Sequence, residues 1–272
     1  MPLAEPAESA LHGVRFGTAL PQNGAAQQIP GKILGKAGGA RIRPPIMPRM
    51  MRGRPLQEIE TWIFDLDNTL YPATSTVYPE VENRMNAFIM DALNLDLEAA
   101  MALRRRFFLA HGTTLRGLMN EYGLPPKPFL DYCHELDLSA LIADQRLAAA
   151  IAALPGKKLI FTNATQLHAE RVLDRLGLAA LFSAIHDIEA CGYVPKPDPS
   201  GYRVLVAGHG IDAARAAMIE DIPRNLAPAA ELGMTTIWLK GGPHEHELGT
   251  DASHVHHAVD DLAEFLAAIG PG

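Results

Sequence analysis

Two aspartates follow a short apolar run of the sequence. The stretch 62–71, WIFDLDNTLY, places Asp65 directly after three large apolar residues and Asp67 two positions later. An ionised aspartate can act as a nucleophile and form an aspartyl-phosphate. A second carboxylic acid beside it can donate a proton to the leaving group and later accept one from water. The pair therefore suits phosphoryl transfer.

Polar side chains also follow the later apolar runs. They are Thr162 with Asn163, Lys196 in VPKPDP, and Glu220 with Asp221. A hydroxyl and an ammonium group can hydrogen-bond to phosphoryl oxygens and neutralise them. Clustered carboxylates repel one another unless a cation lies between them, and oxygen ligands around a phosphate favour Mg2+. Each residue alone is an ordinary polar loop residue, and only their joint occurrence indicates phosphoryl transfer.

The elements that must position these residues are short apolar runs separated by helical segments. The runs that predict strands are 62–64, 159–161, 184–188, 217–219 and 235–239. The helical segments between the later runs are 165–176, 199–208 and 224–232. This alternation predicts an α/β fold with a doubly wound parallel sheet and right-handed crossovers. Ligands bind outside the carboxyl ends of the strands in such sheets, so the polar groups should converge there.

A different pattern covers residues 75–150, which have helical periodicity and no convincing strand. The candidate helices are 79–93, 96–110, 113–122, 127–135 and 144–153. We therefore expect an α-helical cap domain over 75–153, inserted between the first and second strands. The sheet domain then comprises 58–74 and 154–272.

Composition limits the classes of protein and partner. The 272 residues are 48% apolar, and no apolar run reaches the roughly 18 residues of a membrane span. Residues 1–54 carry eight basic and two acidic residues, whereas the remainder carries 16 basic and 29 acidic. An acidic body disfavours polymeric nucleic acid, so we expect a small-molecule partner. Cys133 and Cys191 lie in dissimilar contexts, which predicts free thiols in a reducing, cytoplasmic compartment.

Residues 1–57 contain Gly and Pro and show no sustained periodicity. They are predicted to be a disordered tail. Alternatively, the natural chain starts later, at Met47, Met50 or Met51. A targeting segment is disfavoured because transit peptides are Ser-rich and Ser9 is the only serine in this range.

The polar residues that end the runs together resemble the four motifs of the haloacid dehalogenase-like (HAD) hydrolases. The motifs are DLDNTLY from Asp65, Thr162 after LIF, Lys196 in KPDP, and IEDIPRN with Glu220 and Asp221. Their order along the chain is far more specific than two spaced aspartates alone. The long gap between the first two motifs matches the members whose helical cap follows the first strand. The resemblance implies a Rossmann-like HAD core.

Within the superfamily, the sequence resembles the pyrimidine 5'-nucleotidase branch. The segments that carry this resemblance are DLDNTLYP, GTTLRGLM at 112–119, FLDYCHELDLS at 129–139, and LPGKKLIFTNA. The resemblance implies Mg2+-dependent hydrolysis of nucleoside 5'-monophosphates, with pyrimidines preferred, by a monomer or homodimer. It implies no membrane partner.

The resemblance assigns catalytic and metal-binding roles. Asp65 is the nucleophile and Asp67 is the general acid and base. The implied Mg2+ ligands are Asp65, the backbone carbonyl of Asp67, and Asp221. Glu220 acts on the metal through water, and many relatives have an aspartate at this position.

The resemblance also assigns the residues that hold phosphate. Thr162 and Lys196 bind its oxygens, and Asn163 helps through its backbone. Asn225 orients the loop after the fourth strand.

Cap contacts with the substrate remain open. Thr113 and Thr114 lie at a helix start, where Thr113 is either an N-cap alone or also a substrate contact. Tyr71 either stacks on a base at the junction of cap and core or packs as a hinge aromatic.

Several other functions remain open. A HAD phosphatase or phosphomutase for another small ester, such as phosphoglycolate or a sugar phosphate, is the main alternative. A haloacid dehalogenase needs neither Asp67 nor the acids 220–221, so their presence disfavours it. A non-catalytic regulatory protein on a HAD core is disfavoured by the complete motif set.

The segment 244–257 contains five histidines: His244, His246, His254, His256 and His257. A transition-metal site is one interpretation. Their spacing matches no closed zinc site, so we favour a solvated, flexible linker before a last helix over 259–269.

Overall fold

A parallel sheet of six strands forms the centre of the computed structural model, which describes residues 53–243 and 252–269. The strands are β1 (Thr61–Phe64), β2 (Lys157–Phe161), β3 (Ala184–His186), β4 (Ala216–Glu220), β5 (Thr235–Leu239) and β6 (His257–Val259). Their order across the sheet is β3-β2-β1-β4-β5-β6. The direction of winding reverses at β1, which creates a crevice at the carboxyl ends of β1 and β4.

Helices flank the sheet and form the insertion after β1. They are α1 (Val77–Leu93), α2 (Leu97–His111), α3 (Thr114–Tyr122), α4 (Pro126–His134), α5 (Gln145–Ala153), α6 (Gln166–Leu176), α7 (Pro199–His209), α8 (Pro223–Glu231) and α9 (Leu262–Ala267). Short 3-10 helices cover Leu56–Glu58, Ala179–Leu181 and Ala213–Arg215. In the described ranges, every helix is too short or too polar to span a membrane.

Strand β1 is buried on both faces. Trp62 and Phe64 belong to the apolar cluster on one face of the sheet, which α5, α6 and α9 cover. Ile63 points to the other face and packs with residues of α7 and α8. Alternate side chains of a strand point to opposite faces, so a central strand covered on both sides is a continuous apolar run. The predicted doubly wound α/β fold is confirmed.

Helices α1 to α4 enclose an apolar cluster of their own. Phe88, Phe107, Leu118 and Phe129 are among its buried members. Gly117 allows α3 to approach α2 closely, because a Cβ atom there would lie 2.2 Å from the Phe107 ring. This cluster gives the inserted cap a core separate from that of the sheet.

Helix α5 packs against α9 rather than against the other cap helices. Its buried residues Leu147, Ala150 and Ile151 belong to the cluster on the sheet. The sequence boundary at residue 153 groups this helix with the cap. Apolar periodicity identifies a helix with one buried face but does not say which partner covers that face.

The flexible linker predicted before the last helix is wrong over the described part of it. Strand β6 pairs in parallel with β5, and the N–H of Thr236 donates to His256 Nδ1 across 3.0 Å. The last helix begins at Leu262 rather than at 259. A strand of three residues is too short to show an alternation of apolar and polar residues. It forms a strand because it pairs with β5, which the sequence of the segment does not reveal. The prediction for residues 244–251 lies outside the described residues.

The predicted disordered tail is wrong for its last few residues. The N–H of Arg54 donates to Thr235 Oγ1 across 2.9 Å, and a 3-10 helix covers Leu56–Glu58. The structure does not describe residues 1–52, where the rest of that prediction lies.

Candidate active site

The predicted strand-end residues converge on one cavity of about 130 Å3. Those that line it are Asp65, Asp67, Thr162, Asn163, Lys196, Glu220, Asp221 and Asn225. They come from the carboxyl ends of β1, β2 and β4, from the loop after β3 and from the first turn of α8. The cavity therefore lies where the winding of the sheet reverses.

Asp65 is fixed at the end of β1 through both its backbone and its side chain. Its N–H donates to the carbonyl of Ile219 across 2.9 Å, which continues the pairing of β1 with β4. Thr69 Oγ1 donates to Asp65 Oδ2 across 2.9 Å, and Lys196 Nζ donates to Oδ1 across 2.6 Å. The turn needs a left-handed residue, Asn68 with φ 63°, which Asn tolerates better than most side chains.

Lys196 donates all three of its ammonium hydrogens inside the protein. Its Nζ lies 2.6 Å from Asp65 Oδ1, 2.6 Å from Glu220 Oε2 and 2.9 Å from the carbonyl of Phe161. Burial alone would lower the pKa of Lys196, but Asp65 and Glu220 raise it above its ordinary value. The ammonium group is therefore a fixed positive charge beside the cavity.

The side chain of Asn163 holds the loop that carries Lys196. Its Oδ1 accepts from the N–H of Lys196 across 2.8 Å, and its Nδ2 donates to the carbonyl of Lys196 across 3.4 Å. The Oγ1 of the neighbouring Thr162 accepts from the N–H of Ala164 across 3.0 Å. The Thr162 hydroxyl still has its own hydrogen to donate, so it can form a hydrogen bond with a substrate oxygen in the cavity.

Glu220 is also held on both oxygens. Oε2 accepts from Lys196, while Oε1 accepts from Asn225 Nδ2 across 3.0 Å and from the N–H of Ile222 across 3.4 Å. Asn225 therefore connects α8 to the end of β4. Glu220 orients Lys196 directly, which its assignment as a metal residue did not include.

Three buried carboxylates lie together with one ammonium group. Oxygen atoms of Asp65, Glu220 and Asp221 all lie within 4.8 Å of one another. Asp221 Oδ2 is buried without a hydrogen-bond partner. Burial and then Glu220 raise the pKa of Asp65 to about 7, and the same two causes raise that of Asp221 well above its usual value. The excess of buried carboxylate oxygen fits a hard divalent cation.

Asp67 is held by two donors that contact the same oxygen. The hydroxyl of Tyr71 donates to Oδ1 across 2.7 Å, and His168 Nε2 lies 2.9 Å from it. Burial alone would raise the pKa of Asp67, but His168 and the hydrogen bonds from His168 and Tyr71 lower it to about 2. Tyr71 is 3% exposed and is absent from the cavity lining. This burial agrees with packing as a hinge aromatic, and base stacking stays a prediction.

Sequence reasoning did not find His168. It lies in the first turn of α6, 101 positions from Asp67, so no local pattern links the two residues. Its position could have indicated it, because His168 lies six residues after Thr162, in the first turn of the predicted helix that follows β2. The first turn of such a helix lies beside the cleft.

Cap residues form the other wall of the cavity. Thr113 and Thr114 line it, and Thr113 Oγ1 accepts from the N–H of Arg116 across 3.2 Å as the N-cap of α3. Gly112 has φ 86°, and a Cβ atom there would lie 3.1 Å from the carbonyl of Lys196. The cap loop therefore lies directly on the loop that carries the lysine.

Helix α2 adds Arg104 and Phe108, which the sequence analysis did not identify. Four positions apart, they share one face of the helix. Arg104 forms an ion pair with Glu82, and its Nε donates to Asn86 Oδ1 across 3.0 Å.

The chain is similar to two named proteins. It is 27% identical over 220 residues to Phosphate metabolism protein 8 of Saccharomyces cerevisiae, and the aligned region covers 74% of this chain and 66% of that protein. The chain thus spans just under two thirds of the yeast protein. It is 23% identical over 220 residues to glyceraldehyde 3-phosphate phosphatase of Methanocaldococcus jannaschii, and the aligned region covers 75% of this chain and 94% of that protein.

The fold is similar to that of the HAD-hydrolase YfnB from Bacillus subtilis. The TM-score is 0.53 with 17% sequence identity, over 78% of this chain and 98% of that one. The family model for haloacid dehalogenase-like hydrolases matches residues 59–233, more than half of the 272 residues. The chain therefore belongs to the haloacid dehalogenase-like hydrolase family.

Proposed function

We propose that this hydrolase is an Mg2+-dependent phosphatase that acts on nucleoside 5'-monophosphates, with pyrimidines preferred. The observation that carries the proposal is the convergence of Asp65, Lys196, Glu220 and Asp221 at one strand end. The family and the name of the Methanocaldococcus jannaschii relative support phosphoric monoester hydrolysis. Mg2+, when bound to Asp65 and Asp221, would neutralise the carboxylates and the charge of the phosphate.

The residues of the chain then act in two steps. Asp65 attacks phosphorus, and the bond to the leaving oxygen breaks as Asp67 gives that oxygen a proton. Asp67 next takes a proton from water, which attacks the aspartyl-phosphate and releases inorganic phosphate. Throughout, the Thr162 hydroxyl donates to a phosphoryl oxygen and the fixed charge of Lys196 stabilises the group.

Support for a nucleotide comes from the cap. The segment that resembles the pyrimidine 5'-nucleotidase branch, 112–119, places Thr113 and Thr114 on the cavity wall. Their hydroxyls can contact the polar edge of a base or a ribose.

A smaller phosphate ester is the second candidate. The cavity volume of about 130 Å3 is below the roughly 300–1,000 Å3 of pockets that enclose a drug-sized ligand. A nucleotide therefore requires the cap to open, whereas phosphoglycolate or a triose phosphate needs less room. The site keeps every predicted catalytic side chain, which disfavours a non-catalytic role. The cytoplasmic location and the oligomeric state stay predictions.

A substrate panel tests the proposal. Phosphate release is measured from UMP, CMP, AMP, phosphoglycolate and glyceraldehyde 3-phosphate, with Mg2+ and with EDTA. We expect UMP and CMP to be cleaved fastest and EDTA to abolish every rate. Equal or faster cleavage of the small esters would replace the nucleotide assignment by the second candidate, while activity in EDTA would refute the metal dependence.

The variant Asp65→Asn separates the chemistry from the choice of ester. It keeps the side-chain shape but cannot form the aspartyl-phosphate, so we expect the rate on every ester to fall by several orders of magnitude. Asp198→Asn is the matched control, because Asp198 caps α7 and does not line the cavity.

A further inference from the structure

The carboxylate of Asp67 has two inequivalent oxygens. Tyr71 and His168 both contact Oδ1, at 2.7 Å and 2.9 Å. An ionised carboxylate only accepts hydrogen bonds, so Nε2 of His168 carries the hydrogen and donates it. Since Oδ1 already accepts two hydrogen bonds, a proton added to Asp67 belongs on Oδ2.

His168 is buried in the first turn of α6. It is 1% exposed, and its N–H donates to Oγ1 of the N-cap Thr165 across 3.3 Å. The ring of His134 stacks on it, with centroids 4.5 Å apart and planes at 25°. Oγ1 of Thr165 also lies 3.1 Å from Nδ1 of His134. One threonine hydroxyl therefore contacts both histidines.

His134 belongs to the cap, at the end of α4. Arg171 of α6 fixes this end, because its Nη1 donates to the carbonyl of His134 across 2.9 Å and its Nη2 to that of Leu136 across 2.6 Å. A cation at a helix C-terminus is favourable. The cap thus reaches Asp67 through a short series of contacts, from His134 to His168 to Oδ1.

We infer that His168 and Tyr71 are positioning residues for Asp67 and that His134 holds His168 in place while α4 is docked. This inference rests on the proposed function, because it needs Asp67 to be the acid that protonates the leaving group. The two hydrogen bonds at Oδ1 stabilise the ionised carboxylate, and when Asp67 carries a proton as the acid, that proton lies on Oδ2. As the Asp65–phosphorus bond forms and the phosphorus–oxygen bond of the ester breaks, that proton moves to the leaving oxygen.

Leaving groups that differ in their need for a proton test the inference. The ratio kcat/KM reports the steps up to the first irreversible one, which is phosphoryl transfer to Asp65. p-Nitrophenolate leaves readily without a proton, whereas the 5'-alkoxide of a nucleoside does not. We expect His168→Ala to reduce kcat/KM for UMP by about 10-fold or more beyond its effect on p-nitrophenyl phosphate.

Three further variants distinguish positioning from a merely structural effect. His168→Gln keeps a donor towards Asp67, so we expect it to restore much of the rate on UMP. Tyr71→Phe removes a single oxygen and preserves the packing, and we expect the same leaving-group dependence to a smaller degree. His186→Gln is the control, since His186 is also buried, its ring packs against the rings of Phe161 and His209, and it does not line the cavity.

The results separate this inference from the proposed function. If His168→Ala and Tyr71→Phe slow both esters by the same factor, or if His168→Gln is as slow as His168→Ala, the positioning role is refuted while the phosphatase stands. If the wild-type protein cleaves neither ester, the proposed function fails and this inference fails with it.

Discussion

Lys196 and the carboxylates around it show how the site holds charge away from water. The ammonium group donates to Asp65, to Glu220 and to the carbonyl of Phe161, so its position is fixed before any substrate arrives. Prearranged charge of this kind stabilises a transition state without reorganisation during the reaction. In return, the buried charges depend on one another, because the carboxylates of Asp65 and Glu220 are stabilised in the interior only while the ammonium group of Lys196 pairs with them.

Removal of the lysine charge should destabilise the fold as well as the chemistry. We expect Lys196→Met to lower the free energy of unfolding by roughly 3–5 kcal/mol, because it leaves buried carboxylates without their cation. Urea denaturation measures this loss. Lys240→Met is the control, since Lys240 pairs with the exposed Asp260 at the surface and should change stability little.

The carboxylates should make the effect of Mg2+ depend on pH. The pKa of Asp65 in the folded chain, about 7, lies above its ordinary 3.8, chiefly because of burial and Glu220. The folded state therefore keeps a proton that the unfolded state has lost between about pH 4 and pH 7. Across that window, the stability of the metal-free protein should fall as the pH rises.

Mg2+ must displace this proton, so it should bind better above the window than below it. We expect MgCl2 to raise Tm more at about pH 8 than at about pH 5, with NaCl of equal ionic strength as the control. Differential scanning fluorimetry measures these changes in Tm without any substrate. A rise of the same size at both pH values would argue against a cation at these carboxylates.

At the scale of elements, the sequence predicts what is periodic and misses what is short or paired at a distance. The apolar run at 62–64 lies in a central strand, where two covered faces leave no polar positions in it. Strand β6 was missed because three residues cannot show a period. The contact of His168 with Asp67 was missed because two separate elements create it.

Helices α2 and α3 depend on a glycine where they touch. We expect Gly117→Ala to lower the free energy of unfolding by about 1–3 kcal/mol, because its methyl group would overlap the ring of Phe107. Gly208→Ala is a matched control inside α7, where a Cβ atom meets nothing within 4 Å. It should stabilise the protein by about 0.5–1 kcal/mol. Thermal or urea unfolding of both variants measures the two changes in stability. If Gly117→Ala and Gly208→Ala change the stability equally, the close packing of α3 on α2 is contradicted.

At the scale of the whole molecule, the cap is joined to the first turn of α8, the helix that follows β4. Arg224 Nη2 donates to the carbonyls of Phe108 and Gly112 across 3.0 Å and 3.3 Å, and its guanidinium lies over the Phe108 ring at 4.5 Å. This arginine directly precedes Asn225, which binds Glu220. The resemblance to known motifs predicted that Asn225 orients the loop after β4, but no sequence pattern showed that the neighbouring Arg224 contacts the cap.

Loss of this arginine should loosen the cap. We expect Arg224→Ala to accelerate hydrogen exchange in residues 104–116 and to raise KM more than it lowers kcat, because closure over the substrate becomes less favourable. Arg146→Ala is the control, since Arg146 lies at the surface between α5 and α9. Unchanged exchange in Arg224→Ala would mean that other contacts hold the cap.

The packing of α5 on α9 makes the two ends of the fold depend on each other. The chain returns from the cap to β2 through α5, whose buried side chains rest on the last helix of the described chain. Loss of that helix by proteolysis would expose Leu147 and Ile151 and leave this return segment without support. Loss of α9 should therefore weaken the hinge of the cap, although about 200 residues separate α9 from Asp65 in sequence.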